Sequence, residues 1–316
     1  MNLYQINIRP FGGFLSQIKG DMLFGMFCWA VAENLGKERL QKCLEGYTQN
    51  CPFIVFSDAF PCGYLPKPAL PFTYYRVNKN TEDMVKKRKE AKRRNWLSAD
   101  KISLPTPEMS EHFKEVAYYT KELKTFVHLD PETHHTTGGK YSAYTLEQLT
   151  YKQNLTIYVL IDETKITVPE VQNLLSQIGQ CGYGKKASSG FGKFELLGNL
   201  ETAESGSGIG VSSAYLTLAP CVPQLDTFDS SCSFYHIFVR FGRHGNRAAG
   251  ALYPFKKPVM TADTGAVFTF KQIPVGEKVV FIGTGITDVS RADAQTVFQG
   301  YAPVIALNVR EAEYGK

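Results

Sequence analysis

The sequence predicts an α+β protein made of two ferredoxin-like domains with loop and helical insertions. Its 316 residues are about twice the length of a typical domain. The first half alternates strand and helix patterns in an order that suits a βαββαβ unit, whereas the second half is rich in strands. A segment rich in Ser and Gly at 201–213 is a candidate linker. We therefore expect domains at 1–205 and 206–316.

The first domain begins with a strand, a helix and a second strand. Residues 1–8 read as the first strand, and an apolar helix is expected over 21–35, with Asp21 as its N-cap. The apolar run 53–56 is the next strand. Four prolines in 61–71 then forbid regular structure and predict an extended loop.

A hairpin and a strand–helix–strand unit are predicted to complete the first domain. The hairpin arms are expected at 127–137 and 141–146, joined by a turn that contains two glycines. A strand follows at 155–161. A helix over 169–179 starts with Pro and ends with Gly, in agreement with the preferences of helix termini. The last strand is predicted at 194–197.

The second domain is predicted to consist mainly of strands, with few helices. It could therefore be a degenerate copy of the first domain. Its strands are expected near 214–218, 235–241, 267–270, 279–282 and 304–309.

The composition excludes several classes of protein. A hydrophobic content of 43% with 21% charged residues is ordinary for a globular protein. No apolar run reaches the ~20 residues of a membrane helix, and the first residues lack a signal-peptide pattern, so we expect a cytoplasmic protein. The seven cysteines are scattered without a C-x-x-C pair. They indicate neither disulfides nor zinc, and no metal ion or cofactor is predicted.

The net charge of +5 comes from one short segment. Residues 86–94 contain seven bases and one acid, so the rest of the chain has a net charge of about −1. This run lies in a helical pattern over 82–97 that is polar on all faces. We expect a solvated helical insertion there.

A glycine-rich segment at 182–194, called the glycine loop below, is the strongest candidate for a binding site. Closely spaced glycines let backbone N–H groups approach an anion, while lysines and hydroxyl groups add charge and donors. A nucleotide P-loop is excluded because Lys186 stands where Ser or Thr would hold magnesium, and because a helix precedes the segment. The residues of the loop that are candidates for contacting a phosphate are Gly182, Tyr183, Gly184, Lys185, Lys186, Ser188, Ser189, Gly190, Phe191 and Gly192.

This loop resembles the glycine-rich loop of the RAMP superfamily of CRISPR RNA-binding proteins. In that loop, G-x-G is followed by Lys or Arg, then by Ser or Thr, and then by a second G-x-G. Further segments are similar to the capping subunits of type III-A (Csm) effector complexes. These segments are 19–25, 57–61, 65–68 and 298–302. The hairpin residues His134 to Gly138 correspond to a protruding hairpin of that family, of which Thr137 and Gly138 match its motif.

The resemblance implies a fold, a ligand and partners. It implies two RRM-like (ferredoxin-like) domains that hold the single-stranded 5′ tag of the crRNA. It also implies a subunit that joins a large palm-domain subunit to the first backbone subunit, and that is not itself a nuclease. The candidate residues of the glycine loop are then RNA-binding residues, with Tyr183 and Phe191 as candidates for base stacking. RNA contacts outside the glycine loop are expected at Lys19, Gly20, Asp21, His134, His135, Thr137, Arg243, His244 and Arg247.

Three alternatives remain open. A metal-independent endoribonuclease of the same superfamily could use His134 or His135 as its general base. However, the glycine loop lies in mid-chain, and no histidine precedes His112. A type III-B capping subunit has similar features. A subunit that serves only protein assembly would bind RNA without the steep salt dependence of phosphate contacts.

Overall fold

The chain is a mixed helix-and-strand protein. A computed structural model of it describes residues 1–75, 84–127, 129–130, 132–136, 143–203, 213–245, 250, 252–272 and 278–310. The helices are α1 (Gly20–Asn34), α2 (Lys37–Leu44), α3 (Met84–Arg93), α4 (Thr106–Met109) and α5 (Val168–Cys181). Among the described residues, no helix is both long enough and apolar enough to cross a membrane.

The strands fall into two groups along the chain. The first half contains β1 (Asn2–Phe11), β2 (Ile54–Pro61), β3 (Tyr64–Pro66), β4 (Trp96–Ser98), β5 (Phe113–Lys114), β6 (Tyr119–Val127), β7 (Ala143–Tyr151), β8 (Leu155–Ile161) and β9 (Lys193–Thr202). The second half contains β10 (Ala214–Thr217), β11 (Ile237–Arg240), β12 (Val259–Ala262), β13 (Val267–Thr269), β14 (Phe281–Gly283) and β15 (Tyr301–Leu307).

The central sheet of the first half has the strand order β2-β8-β1-β9, and all its pairs are antiparallel. Helix α1 connects β1 to β2, and α5 connects β8 to β9. Strand β8 is apolar at nearly every position and completely buried, so it is covered on both faces. Helix α5 begins with a capping box between Thr167 and Glu170, and its apolar face packs into the core.

The second half contains a four-stranded sheet in the order β13-β10-β15-β14 and a two-stranded ribbon, β11-β12. This strand order differs from that of the first sheet, and residues 213–245, 250, 252–272 and 278–310 contain no α-helix. A second ferredoxin-like copy therefore stays a prediction. The proposed boundary between 205 and 206 lies outside the described residues.

Three predictions for the first half were wrong. The proline segment 61–71 does contain regular structure, because Tyr64 to Pro66 form β3 and pair with Trp96 to Ser98. The hairpin is formed by β6 and β7, which pair from Tyr119 with Tyr151 to Val127 with Ala143, so its first arm precedes 127–137. Aromatic cross-strand neighbours stabilise it at both ends, a pairing that local turn signals do not reveal. The predicted helix over 82–97 ends at Arg93, because Trp96 to Ser98 pair with β3 as strand β4.

The two halves share one apolar core and several hydrogen bonds. Core residues from β10 and β15 pack against those of the first sheet. The amide of the buried Gln299 accepts from Phe56 N (3.0 Å) and donates to Phe56 O (2.8 Å). The amide thus satisfies both backbone groups of Phe56, as an adjacent strand would. The halves therefore meet through specific buried contacts.

Candidate nucleic-acid interface

The glycine loop is attached to the body of the protein at its base. Gly182 ends α5 with a φ of +99°. Tyr183 N donates to Gly192 O (2.8 Å), and Gly192 N donates to Gly13 O (2.9 Å). The two ends of the loop are therefore joined to each other and to the segment that follows β1.

Glycine is required at three positions of this loop because the backbone is crowded there. A Cβ on Gly192 would lie 2.0 Å from Tyr183 O, and one on Gly182 would lie 2.4 Å from Phe191 O. A Cβ on Gly184 would lie 2.3 Å from Ser16 Oγ. All three also have positive φ values, which favour glycine. At these positions the glycines permit internal packing rather than access for a ligand.

The tip of the loop is exposed and carries hydroxyl groups and a lysine. Lys186 adopts the left-handed conformation and is followed by a short turn, 187–189. The N–H groups of Ser189, Gly190 and Phe191 donate to carbonyl groups of the loop itself, so these three are not available to an anion. Ser188, Ser189, Gly190 and Lys185 are exposed. The groups of the tip that can meet a phosphate are therefore these side chains and the N–H groups of residues 184–188, which donate none of the described backbone hydrogen bonds.

Tyr183 does not have the position expected of a base-stacking residue. Its side chain is fully buried. Its hydroxyl accepts from Lys19 N (2.9 Å) and donates to Gln17 O (3.0 Å). The ring therefore fixes the segment that precedes α1. Burial raises the pKa of this hydroxyl well above its usual value, so it remains a donor.

The end of the β6-β7 hairpin packs over the glycine loop. Lys186 Nζ lies 4.8 Å from the ring centre of Phe126 and 5.2 Å from that of Tyr144. The ring of Phe191 meets Phe126 edge-on at 5.6 Å, and Lys124 Nζ lies 5.2 Å from Phe191. Cation–π contacts of this kind contribute about 0.5–1 kcal/mol each when exposed. Phe191 is half-buried here, so part of its ring faces solvent.

The predicted contact residues at the start of α1 are bound by the protein itself. Lys19 Nζ contacts Asp58 (2.8 Å) and Asp263 (3.1 Å). Burial disfavours its charge, but the two carboxylates outweigh burial and raise its pKa to about 12. Gly20 N donates to Asp58 Oδ1 (2.9 Å). A Cβ on Gly20 would lie 2.2 Å from Phe56 O, so the helix starts directly against β2.

Asp21 was wrongly expected to be the N-cap of this helix. The helix starts at Gly20, with Lys19 at the N-cap position. The side chain of Asp21 is 2% exposed and forms a two-pronged ion pair with Arg240, in which Arg240 Nη2 lies 2.7 Å from Asp21 Oδ1. Asp21 therefore faces the second half of the chain. The sequence offered no local signal that Arg240 contacts Asp21, or that Asp58 and Asp263 contact Lys19, since these partners lie far apart along the chain.

The predicted residues of the second half have different surroundings. The Arg243 guanidinium lies 5.5 Å from the ring centre of Phe255. His244 is buried, and its Nε2 lies 2.6 Å from Ser290 Oγ. Burial and the nearby Lys256 lower the pKa of His244. Arg247 lies outside the described residues.

The two predicted hairpin histidines lie beyond the end of β6. His134 N donates to Asp130 O (2.9 Å), and Asp130 N donates to His135 O (3.1 Å). Both side chains are exposed. Thr137 lies outside the described residues. The described hydrogen bonds of both histidines are backbone contacts that shape the turn.

Comparison with known proteins identifies the family. The model of the RAMP superfamily matches residues 13–195. This segment begins after β1, contains β2 and β8 of the central sheet, and ends within β9. The chain belongs to the RAMP superfamily, which confirms the resemblance found in the sequence. No curated protein matches the chain in a sequence comparison.

Solved structures extend the likeness to the whole chain. A crystal structure of a Csm1-Csm4 cassette in complex with cA4 matches with a TM-score of 0.60 at 14% identity, over 99% of this chain and 100% of that one. A Csm3-Csm4 subcomplex of the type III-A CRISPR-Cas interference complex matches with a TM-score of 0.59 at 14% identity, over 96% and 99%. Csm4 is common to both assemblies. At this low sequence identity, the structural matches show that the fold is shared.

Proposed function

We propose that this protein is the non-catalytic, RNA-binding capping subunit of a type III-A CRISPR interference complex. In this role it holds the single-stranded 5′ tag of the crRNA in the cytoplasm. One observation carries the proposal: on a RAMP fold, the glycine loop presents Lys185, Ser188 and Ser189 to solvent beside a hairpin that carries further lysines. Single-stranded RNA is bound by such cations and donors at its phosphates.

The order β2-β8-β1-β9, with α1 and α5 as the two crossovers, supports a ferredoxin-like first domain. We place this domain at 1–205. Residues 206–316 form the second domain in this proposal. It has kept a four-stranded antiparallel sheet, and a two-stranded ribbon packs against the start of α1.

The proposal includes two protein partners, a large palm-domain subunit and a backbone RAMP subunit. The similar structures are assemblies of Csm4 with Csm1 or Csm3. The outer face of the β11-β12 ribbon supports a role in assembly. Ile237 (66%), Phe241 (77%), Phe255 (68%) and Met260 (65%) are exposed there, and an apolar surface of this kind is typical of a protein–protein contact.

Purification of the assembled complex tests the RNA-binding role. We expect Lys185→Ala with Lys186→Ala to lower the amount of crRNA that copurifies with the palm-domain partner, because two cations near phosphates are lost. The slope of log affinity against log salt should fall by about 0.7 for each phosphate contact removed. Circular dichroism should show an unchanged fold.

The matched control removes two exposed lysines from α2, Lys37→Ala with Lys42→Ala, at the same cost in net charge. Equal crRNA retention in the two double variants would contradict a phosphate site in the loop. Incubation with repeat RNA tests the enzymatic alternative. Site-specific cleavage that disappears in His135→Ala would replace the proposal with an endoribonuclease.

A further inference from the structure

A cleft of about 1140 Å³ lies between the two halves of the protein. On one side it is lined by the proline segment 66–72 and by Trp96. On the other side it is lined by residues 233–236 and Thr264. We call it the inter-half cleft. It is large enough to hold a ligand of several linked rings. Of the candidate RNA-binding residues that the structure describes, only Lys19 lines it, and parts of the segments 57–61 and 65–68 line it as well.

The inter-half cleft carries positive charge that the described residues do not balance. Lys67 Nζ lies among the rings of Phe113 (4.7 Å), Tyr75 (5.3 Å) and Phe72 (5.9 Å) and donates to Ala91 O (3.0 Å). In the described part of the chain no carboxylate lies within 4 Å of it. Burial lowers the pKa of Lys67, so an anion in the cleft would stabilise its charged form.

The two carboxylates in the wall of the cleft do not oppose an anion strongly. Asp58 and Asp263 are both bound to Lys19. Their charges are therefore partly neutralised inside the wall, and Thr264 Oγ1 also donates to Asp58. Lys19 and these two carboxylates together keep one negative charge, and Lys67 and Lys92 bring the net charge of the lining to about +1.

The basic helix α3 forms part of the rim of this cleft. Lys92 lines the cleft, and Ala91 accepts the hydrogen bond from Lys67. The neighbouring Lys89, Arg93 and Arg94 are exposed. A cluster of this kind attracts a polyanion towards the opening. Part of the basic run at 86–94 therefore lies beside the inter-half cleft. The sequence pattern did not indicate this position.

The second half supplies an aromatic surface and polar groups. The ring of Tyr235 is 42% exposed and is stacked on Phe268 at 5.6 Å and 24°, so its orientation is fixed while one face remains accessible. Ser230 and His236 are exposed beside it and also line the cleft. A fixed aromatic face with nearby donors suits an unstacked base.

A path connects the cleft to the glycine loop. Gln17 lines the inter-half cleft and also a smaller pocket of about 400 Å³. Lys185 and Ser16 line the smaller pocket, together with Lys121 and Glu147. Lys121 is paired with Glu147 (2.9 Å), whereas the described salt bridges do not include Lys185. The buried Ser16 Oγ has no hydrogen-bond partner among the described residues. The cation of Lys185 and an unsatisfied hydroxyl therefore lie along one route from the loop to the cleft.

We infer that single-stranded RNA held at the glycine loop continues past Gln17 into the inter-half cleft, where a base stacks on Tyr235 and backbone phosphates meet Lys67 and Lys92. This inference rests on the proposed function. The uncompensated lysines favour RNA over a peptide of the partner subunit, which would need acidic residues to bind as well.

Photo-crosslinking in the assembled complex tests the path. A single-stranded tag RNA with 4-thiouridine at one position at a time is irradiated, and the crosslinked peptides are identified by mass spectrometry. We expect one set of positions to crosslink to the loop and a neighbouring set to crosslink to peptides around Tyr235 and Lys92. Crosslinks to the loop alone would overturn the inference while the proposed function stands. No RNA crosslinks at all would overturn both, and occupation of the cleft by a partner peptide would overturn the inference.

Measurements of RNA affinity with the same complex test whether the ring of Tyr235 stacks on a base or only packs within the protein. Tyr235→Ala should weaken RNA binding about tenfold, because stacking on one base is lost. Tyr235→Phe retains the ring and should bind within about twofold of the parent. Lys92→Ala should reduce the salt slope by about 0.7. Equal affinities of the Ala and Phe variants at position 235 would contradict a stacked base.

Discussion

The junction between the two halves and the glycine loop both contain lysine or arginine, but they use these charges in opposite ways. At the junction, Lys19 contacts two carboxylates, and Arg240 forms an ion pair with the buried Asp21. In the loop, Lys185 is exposed and Lys186 lies over two aromatic rings. The salt bridges of the described residues include none of the loop lysines Lys185, Lys186 and Lys193.

This difference shows that pairing with a carboxylate distinguishes charged residues that stabilise the fold from those that are available to a ligand. A lysine already paired with carboxylates gains little from a phosphate, because the phosphate would have to displace a partner. A lysine without a carboxylate keeps its full attraction for RNA. The junction should therefore control stability, and the loop should control binding.

The largest effect is expected at the Asp21–Arg240 pair. Arg240→Ala leaves a buried carboxylate without its cation, which costs about 3–5 kcal/mol. The free energy of unfolding in urea should fall by that amount. The control is Arg9→Ala, since Arg9 pairs with Glu195 at the surface, where the side chains are 56% and 39% exposed. Exposed pairs contribute up to about 1 kcal/mol. Similar losses for both variants would refute the structural role of Arg240.

A smaller effect on stability is expected within the loop. Gly192→Ala places a Cβ 2.0 Å from Tyr183 O at a φ of +76°, so the base of the loop must move, at a cost of about 3 kcal/mol. Gly190→Ala has a similar φ of +86°, but its Cβ meets no atom within 4 Å. It should cost about 1 kcal/mol. Thermal denaturation of both variants measures the difference. If the two melting temperatures agree, close backbone packing does not explain the glycine at 192.

The smallest effect is a pH dependence from His244. Burial lowers its pKa in the folded protein, so the unfolded chain binds a proton first as the pH falls. Stability should therefore decrease as the pH drops through the ordinary histidine pKa of about 6.5. In His244→Asn, the unfolding free energy should vary less between about pH 7.5 and 5.5. Parallel pH profiles for the parent and the variant would show that His244 is not the source.

Much of the central fold was predictable from local patterns. The apolar run at 155–161 and the start of the helix at Pro169 appear at their expected places, because strand burial and N-terminal capping are properties of neighbouring residues. The end of this helix was misplaced, since it continues past Gly179 to Cys181, with Gly182 as its C-cap. The hairpin arms were misplaced, because the pairing of Tyr119 with Tyr151 joins residues far apart along the chain.

The candidate site was only partly predictable. The glycines and lysines of the loop identify it as a binding element, and its position after α5 agrees with the structure. The burial of Tyr183 was not predictable, since whether an aromatic residue in a loop faces solvent depends on what covers it. Here the segment that precedes α1 covers the ring of Tyr183 and forms hydrogen bonds with its hydroxyl.

The sequence by itself determined the mixed class of the fold, the start of helix α5, the glycine loop and the resemblance to the RAMP superfamily. All of these follow from residue types at short spacings. Only the tertiary structure decided which charges are available to a ligand. Asp21 meets Arg240, and Lys19 meets Asp263, across more than two hundred residues. Long-range packing therefore decides whether a charged residue supports the fold or remains free to bind RNA.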